Sequence, residues 1–505
     1  MIIRLVLLII LLLARFYDLG ARPPHHDESV NGWFVDGMFQ KGYYQYDPQN
    51  YHGPLYFYLL AIFVKVFGRS IETMRSLSIL LGFGVNFTPF LFKRWITERG
   101  AWIAAFFLAV SPAMVFYSRY AIHEMGFMLA CILFFYYWIK TRREWFTREN
   151  ILGLGITLGV MACLKENFIL YVACLFIGEG VLWLMNRFWP ATVLMVPAKE
   201  SAKEAKKKKA AEKIQPLPEL SVIRNPRTTG IGVSAVIAIA FALILIFYSG
   251  FARDEHGIAN FFKAFVLWGQ TGENGNGHQK PFYYWLKLMF ELEWFALLGF
   301  MLTPLALKKV SNEIKLMSIV CFGLCLAYSI VNYKTPWCVM SFYWGFIFIA
   351  AYWLSVWMEK KTLRVLITLG LIGGFAFSAY EAVDAAYLAP DQDGHLYIYG
   401  QTYRDFMGPV NEILDRVKEN PDLKNTLQIQ IISGFTWPLP WLLGEVKKTG
   451  YYGEQNAPAV LDGDYVLIDT NFEPKYASRL KGHYLRQQVH SRQWAADMTF
   501  FKKIP

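Results

Sequence analysis

A chain of 505 residues that is 55% hydrophobic, 17% aromatic and only 18% charged, with positive mean hydropathy, is too apolar for a string of soluble domains; it reads as a polytopic α-helical membrane protein. The formal net charge of +11 does not point to nucleic acid, because Lys and Arg concentrate in short segments between apolar runs, most densely at residues 206–209, which is the positive-inside distribution. The six cysteines (Cys131, Cys163, Cys174, Cys321, Cys325 and Cys338) sit in or beside apolar runs without zinc-site spacing, so they read as small core residues and not as a disulfide framework.

In chain order, residues 1–14 form a first apolar span with Arg4 near its start and no small-residue cleavage site before Pro23-Pro24. Directly after it come His25, His26, Asp27 and Glu28. An acidic pair where a span emerges into water suits a general base or a metal ligand, since a neighbouring like charge raises one pKa. The same residues also suit a helix N-terminus, because the pattern Val30, Trp33, Phe34, Met38 and Phe39 follows. Residues 54–67 are apolar but number only about 14, and the segment carries Lys65; that length predicts an interfacial helix, not a span. His52-Gly53-Pro54 is its helix start, with His52 either a phosphate donor or a cap.

Further apolar runs centre on Gly82, Leu108, Leu129, Thr157, Phe176, Ala238, Ala296, Gly323, Phe346 and Gly370. With the first run these predict about eleven membrane helices. If residues 54–67 do not cross, the basic segments 93–99, 140–148, 187–228, 308–315 and 359–364 all share one side, which the charge bias makes cytoplasmic. Five chemically unusual segments then converge on the other face: 22–51, 118–124, 165–167, 251–280 and 332–337. In the second of these, Arg119 and Glu124 are either an ion pair at the bilayer surface or part of a phosphate clamp, with His123 beside them. Lys165 and Lys334 are each a snorkelling anchor when taken alone, but with Arg119 they make an electropositive bowl suited to a lipid-linked phosphate. Glu291 and Glu293, in the run 281–307, cannot both face lipid and should pair inside the bundle. The glycines at 272–277 lack the Lys-Ser/Thr and helix start of a nucleotide loop, and no accepted metal spacing occurs, although His26, Asp27, His123 and Glu124 together are candidates for one divalent ion. From 384 to 505 the pattern becomes a soluble α/β domain, with strands expected at 427–432 and 465–468, set off from a membrane domain at 1–383 whose first external loop is 22–70.

This pattern resembles the GT-C integral-membrane glycosyltransferases, the class of the protein O-mannosyltransferases and aminoarabinose transferases. More narrowly it resembles the flippase-activity-associated branch of the glycosyltransferase-39-like proteins. The likeness rests on His26-Asp27-Glu28, on Tyr46-Asp47-Pro48 with His52-Gly53-Pro54, and on Tyr117-Ser118-Arg119-Tyr120 with Glu124. It extends to Tyr333-Lys334-Thr335-Pro336-Trp337 and Trp437-Pro438-Leu439-Pro440-Trp441. His123 departs from the paired-acid motif of oligosaccharyltransferases. The resemblance implies a polyprenyl-phosphate sugar donor and inverting transfer on the outer face of the plasma membrane to a glycan, lipid or protein acceptor, with no nucleic acid involved. The N-terminus would be cytoplasmic and the C-terminal domain external. Asp27 would then be the base and Glu28 would orient it or bind sugar. Arg119, Lys165, Lys334 and His52 would hold the donor phosphate, and His26, His123, Glu124 and Tyr333 would line the substrate. The rivals are a lipid-linked-sugar flippase, which needs polar groups through the full membrane depth, and a non-catalytic assembly subunit.

Overall fold

The computed structural model describes residues 2–50, 52–188, 226–274, 277–307 and 310–504. Most of the basic loop expected at 187–228, including its lysine run, lies outside the described residues, as do two positions of the Gly-rich turn.

All eleven expected centres fall on helices. These are α1 (Ile2–Phe16), α4 (Ile71–Phe87), α5 (Glu98–Val110), α7 (Glu124–Glu144), α8 (Arg148–Leu164), α9 (Phe168–Phe188), α10 (Pro226–Tyr248), α13 (Trp294–Ala306), α14 (Asn312–Ile330), α15 (Tyr343–Trp357) and α16 (Lys361–Val383). Between them lie α2 (His26–Lys41), α3 (Leu55–Phe67), α6 (Pro112–Ser118), α11 (Gly257–Asn274) and α12 (Tyr284–Glu291). The helices are less uniform than eleven equal spans. Among the described residues, four are long and apolar enough to cross a bilayer by themselves: Phe168–Phe188, Thr229–Tyr248, Asn312–Ile330 and Lys361–Leu388. The run around Leu108 is split by Pro112 into α5 and α6, bent by 55°, and the two halves together would make a fifth. The run 281–307 is likewise two helices, α12 and α13, broken at Leu292 and Glu293. Helix α3 has 13 residues, about 20 Å at 1.5 Å per residue, against a hydrocarbon core of about 30 Å.

Packing follows side-chain size. Gly155 and Gly159, one turn apart on α8, face Ile239 and Leu243 of α10 so closely that a Cβ at either would sit 2.7 Å from those side chains; small residues at this spacing let the two backbones meet. The buried core runs through α4, α5, α7, α14 and α15, while Phe176, Ile177 and Trp183 on α9 and Leu366, Leu369 and Ile372 on α16 are exposed, as lipid-facing positions would be. At the end of the bundle away from the cavity described below, the basic loops touch one another: Arg99 pairs with Glu359 at 2.7 Å and Arg143 with Glu313 at 3.1 Å, while Lys140 and Glu149 close the α7–α8 loop on itself at 2.6 Å.

The C-terminal part holds helix α17 (Arg404–Glu419) and one five-stranded sheet made of β1 (Gln428–Ile432), β2 (Lys448–Tyr452), β3 (Tyr465–Asp469), β4 (His483–Val489) and β5 (Met498–Ile504). The strand order is β2-β1-β3-β5-β4; β1 is parallel to β2 and β3, and the β3-β5 and β5-β4 pairs are antiparallel. The two expected strands are β1 and β3. One face of the sheet buries Ile429, Ile431 and Leu467 against Val410 and Ile413 of α17. The loop after β1, residues 433–441, then carries Trp437 and Trp441 down onto α2.

Candidate active site

The five segments expected to converge do so. A cavity of about 600 Å³ is lined by residues from each: His26 and Asp27; His123 and Glu124; Lys165, Glu166 and Asn167; Trp268 and Glu273; Tyr333 and Trp337. His52 and Tyr328 join them. A concave, mixed polar and aromatic space of this size suits a small polar ligand.

The local structure that aims Asp27 is a helix N-terminus. His25 is the N-cap of α2: its Nδ1 accepts from the Asp27 backbone N–H at 3.0 Å, and Glu28 reciprocates by accepting from the His25 N–H at 2.9 Å. With Nδ1 accepting, the His25 proton is on Nε2, which donates to the Tyr399 carbonyl at 2.9 Å. The ring is therefore neutral, and burial pushes its pKa down to about 4. His25 Nδ1 lies 3.7 Å from the Asp27 carboxylate but carries no charge. Asp27 is 39% exposed and, among the described residues, stands in no ion pair with a charged group.

The cap explanation and the site explanation thus divide between the two acids. Glu28 is fully buried and does not line the cavity. Its oxygens take two bonds from Arg75, at 2.7 and 2.8 Å, and one each from the backbone N–H groups of His25 and Ala121, with Arg22 at 3.7 Å. Burial alone would raise its pKa; Arg75, Arg22 and the amides outweigh it and hold the carboxyl down to about 2. Every lone pair is occupied, so the expected sugar contact of Glu28 is not what this geometry offers; Glu28 anchors the turn that presents Asp27.

Two of the four expected phosphate ligands also lie elsewhere. Arg119 donates to the carbonyls of Arg15, Tyr17 and Asp18 and to the Tyr387 hydroxyl, at 2.7 to 2.9 Å, and closes off the end of α1. Lys334 donates to the carbonyls of Val331 and Lys280 and is absent from the cavity wall. A cation beside a helix end satisfies orphan carbonyls as readily as it binds an anion. Lys165 and His52 do line the cavity, each beside an acid: Lys165 Nζ donates to Glu124 at 2.6 Å, and His52 Nδ1 lies 3.2 Å from Glu166. Of the expected substrate contacts, His26, His123, Glu124 and Tyr333 all line it. Burial keeps His123 well below the ordinary histidine range, and its Nε2 is buried without a hydrogen-bond partner, as is Asn167 Oδ1. The proposed metal set is not assembled: among the described residues no three of His, Cys, Asp and Glu gather closely enough to hold an ion. Glu124 is committed to Lys165, and His26 Nδ1 accepts from Arg492 at 2.7 Å.

Arg75, Arg492, Glu166 and Asn167 complete the site and were missed as functional positions. Glu166 and Asn167 stood beside Lys165 at a hairpin tip, so that signal was available. Arg75 was readable only as an arginine inside an apolar run. Glu293, expected to pair inside the bundle, does so: it accepts from Ser111 Oγ at 3.0 Å, the Ala113 N–H at 2.7 Å and the Tyr397 hydroxyl at 3.1 Å, capping α6 at the bend. Glu291 faces outward beside Lys287 at 3.7 Å.

This arrangement of helices, cavity and appended sheet is the fold of the GT-C, protein-mannosyltransferase-like membrane glycosyltransferases. Residues 51–196 match the dolichyl-phosphate-mannose-protein mannosyltransferase family model. The chain is similar to ArnT from Cupriavidus metallidurans, solved bound to undecaprenyl phosphate, with a TM-score of 0.62 at 12% identity over 99% of this chain and 97% of that one. It is also similar to the archaeal oligosaccharyltransferase AglB from Archaeoglobus fulgidus, solved with an inhibitory peptide and a dolichol-phosphate, with a TM-score of 0.51 at 13% identity over 94% of this chain and 70% of that one. No curated protein sequence matches the chain.

Proposed function

We propose that the chain is a glycosyltransferase that moves a sugar from a polyprenyl-phosphate donor to an acceptor hydroxyl with inversion, on the outer face of the plasma membrane. In this reading residues 1–383 are the eleven-span catalytic part, the N-terminus is cytoplasmic, and residues 384–505 are external. The observation that carries it is the contrast among the cavity carboxylates: Glu124 and Glu166 face Lys165 and His52, and Glu273 is exposed near the end of α11, whereas Asp27 is half-exposed to the cavity with no cation on it and is held in place by the capped N-terminus of α2.

Asp27 takes the proton of the acceptor hydroxyl as that oxygen attacks the anomeric carbon. The bond from that carbon to the donor phosphate breaks, and the phosphate leaves with the electron pair. Lys165, which spends one of its three N–H donors on Glu124, and His52 hold the departing phosphate. The unpartnered His123 Nε2 and Asn167 Oδ1 are placed to meet sugar hydroxyls, which both donate and accept.

The test uses the purified full chain with undecaprenyl-phosphate mannose carrying a labelled sugar, scored for sugar release and transfer. Asp27→Asn should lower the rate by about 10²-fold or more. An unchanged rate removes Asp27 from the mechanism, and transbilayer movement of the lipid without any transfer would replace the proposal with a flippase.

A further inference from the structure

We infer that Arg492, in the C-terminal part of the chain, is a positioning residue for the reaction proposed above: it fixes the ring of His26, the residue before Asp27, in the tautomer that keeps its proton on Nε2. Arg492 Nη1 lies 2.7 Å from His26 Nδ1. A guanidinium has donors only, so Nδ1 must be the acceptor and the ring proton must sit on the other nitrogen. The His26 ring lines the cavity one residue from the proposed base, so the tautomer decides whether this wall offers a donor or an acceptor to the ligand.

The geometry that holds Arg492 is built for this contact. Arg492 and Thr402 form an isolated antiparallel bridge, and the next residue, Gln493, accepts from the Gly400 N–H at 2.7 Å while its own N–H donates to the Gln401 carbonyl at 3.1 Å. The same segment reaches across to the chain just before α2: Gln401 Nε2 donates to the Pro23 carbonyl at 2.9 Å and Thr402 Oγ1 to the Pro24 carbonyl at 2.8 Å. Both ends of the Arg492–His26 contact are thereby tied to one another. The guanidinium lies 5.3 Å over the Phe435 ring and the His26 ring 5.8 Å from Trp437, so the loop after β1 walls the pair on its far side.

The inference rests on the proposed transferase reading, and its test separates the two. In the full chain with ¹⁵N-labelled histidine, the His26 ring should give the signature of a single tautomer protonated on Nε2. Arg492→Met should convert it to a mixture of tautomers, and Arg492→Lys, which keeps a donor, should restore it. In the labelled-sugar assay Arg492→Met should lower kcat tenfold or more with KM changed less than threefold, and Arg492→Lys should recover most of kcat. An unchanged tautomer signature in Arg492→Met overturns the inference, and so does a kcat that Lys fails to rescue while the folded fraction is unaltered. A transferase inactive in every form, with the tautomer shift nonetheless present, leaves the Arg492–His26 lock standing and removes the transferase reading.

Discussion

Adjacent residues with the same charge have opposite fates here. Asp27 and Glu28 differ by one methylene and one position, yet one faces the cavity and the other is the buried hub of Arg75, Arg22, His25 and Ala121. Removing one partner of a buried, fully bonded ion pair typically costs about 3–5 kcal/mol, because the other charge is left without compensation. Glu28→Ala should therefore lower the stability of the purified chain by about that amount in thermal or denaturant unfolding, whereas Asp27→Asn should leave it within about 0.5 kcal/mol. Equal losses for the two variants would contradict this division. The sequence made the acidic pair visible and placed it on a helix start. It did not say which acid the arginine 47 positions away would claim, since Arg75 lies within a helix whose neighbours are fixed only by tertiary packing. Arg119 and Lys334 illustrate the same limit: their charge was legible, but the carbonyls that absorb them come from chain segments far away or from a turn whose geometry the pattern does not encode.

At the scale of elements, what positions the site is the seam between α2 and the loop 433–441. A Cβ on Gly32 would sit 2.5 Å from Trp441 Nε1, so α2 admits this tryptophan only where it lacks a side chain. Arg69 reinforces the seam by pairing with Asp36 at 2.9 Å and lying 4.6 Å over the Trp441 ring. Gly32→Val should push the loop off α2. Hydrogen exchange on the full chain should then speed up at residues 437–444 and through the first turns of α2 while the sheet core at Ile429, Ile431 and Leu467 stays protected. Unchanged exchange in the loop would mean that the contact does not hold it. Helix existence is readable from apolar runs, and the Trp437-Pro438-Leu439-Pro440-Trp441 run stands out in the sequence. Helix breaks were harder to read, because hydropathy averages over them: Pro112 marks one in the sequence, but Glu293 sits inside an apolar window, and only the structure shows it accepting from Ser111 Oγ and the Ala113 N–H at the bend.

For the whole molecule, the arrangement of loops was the most legible property. Charge bias alone put the basic loops on one end, and the ion pairs Arg99–Glu359 and Arg143–Glu313 join loops to one another there. A collective property follows from the opposite end. His25 and His26 are held near pKa 4 chiefly by burial, against an ordinary 6.5, and Glu28 near 2, against 4.5. All three are depressed in the folded chain, so below pH 6.5 the unfolded chain binds protons that the folded one refuses. Their contribution to stability is complete above pH 6.5. It falls through the histidine window to about pH 4, and further from pH 4.5 towards 2 as Glu28 follows. Melting temperatures of the purified chain measured at pH 7.5, 5.5 and 4 should decline in that order, and His25→Gln should flatten the first part of the decline. A melting temperature independent of pH over this range would refute the assignment of neutral histidines at α2.

The contact between His26 and Arg492 also sets a clock. The two residues are 466 positions apart, and at about 5–20 residues per second a ribosome needs roughly 20 to 90 seconds to go from one to the other. Throughout that interval the earlier helices, which with the loops between them carry every residue lining the cavity, can already be in the bilayer, with Asp27 in place on its turn and the His26 ring still without its partner. Chains interrupted before Arg492 would carry the acid next to a histidine whose ring has not yet met its guanidinium partner.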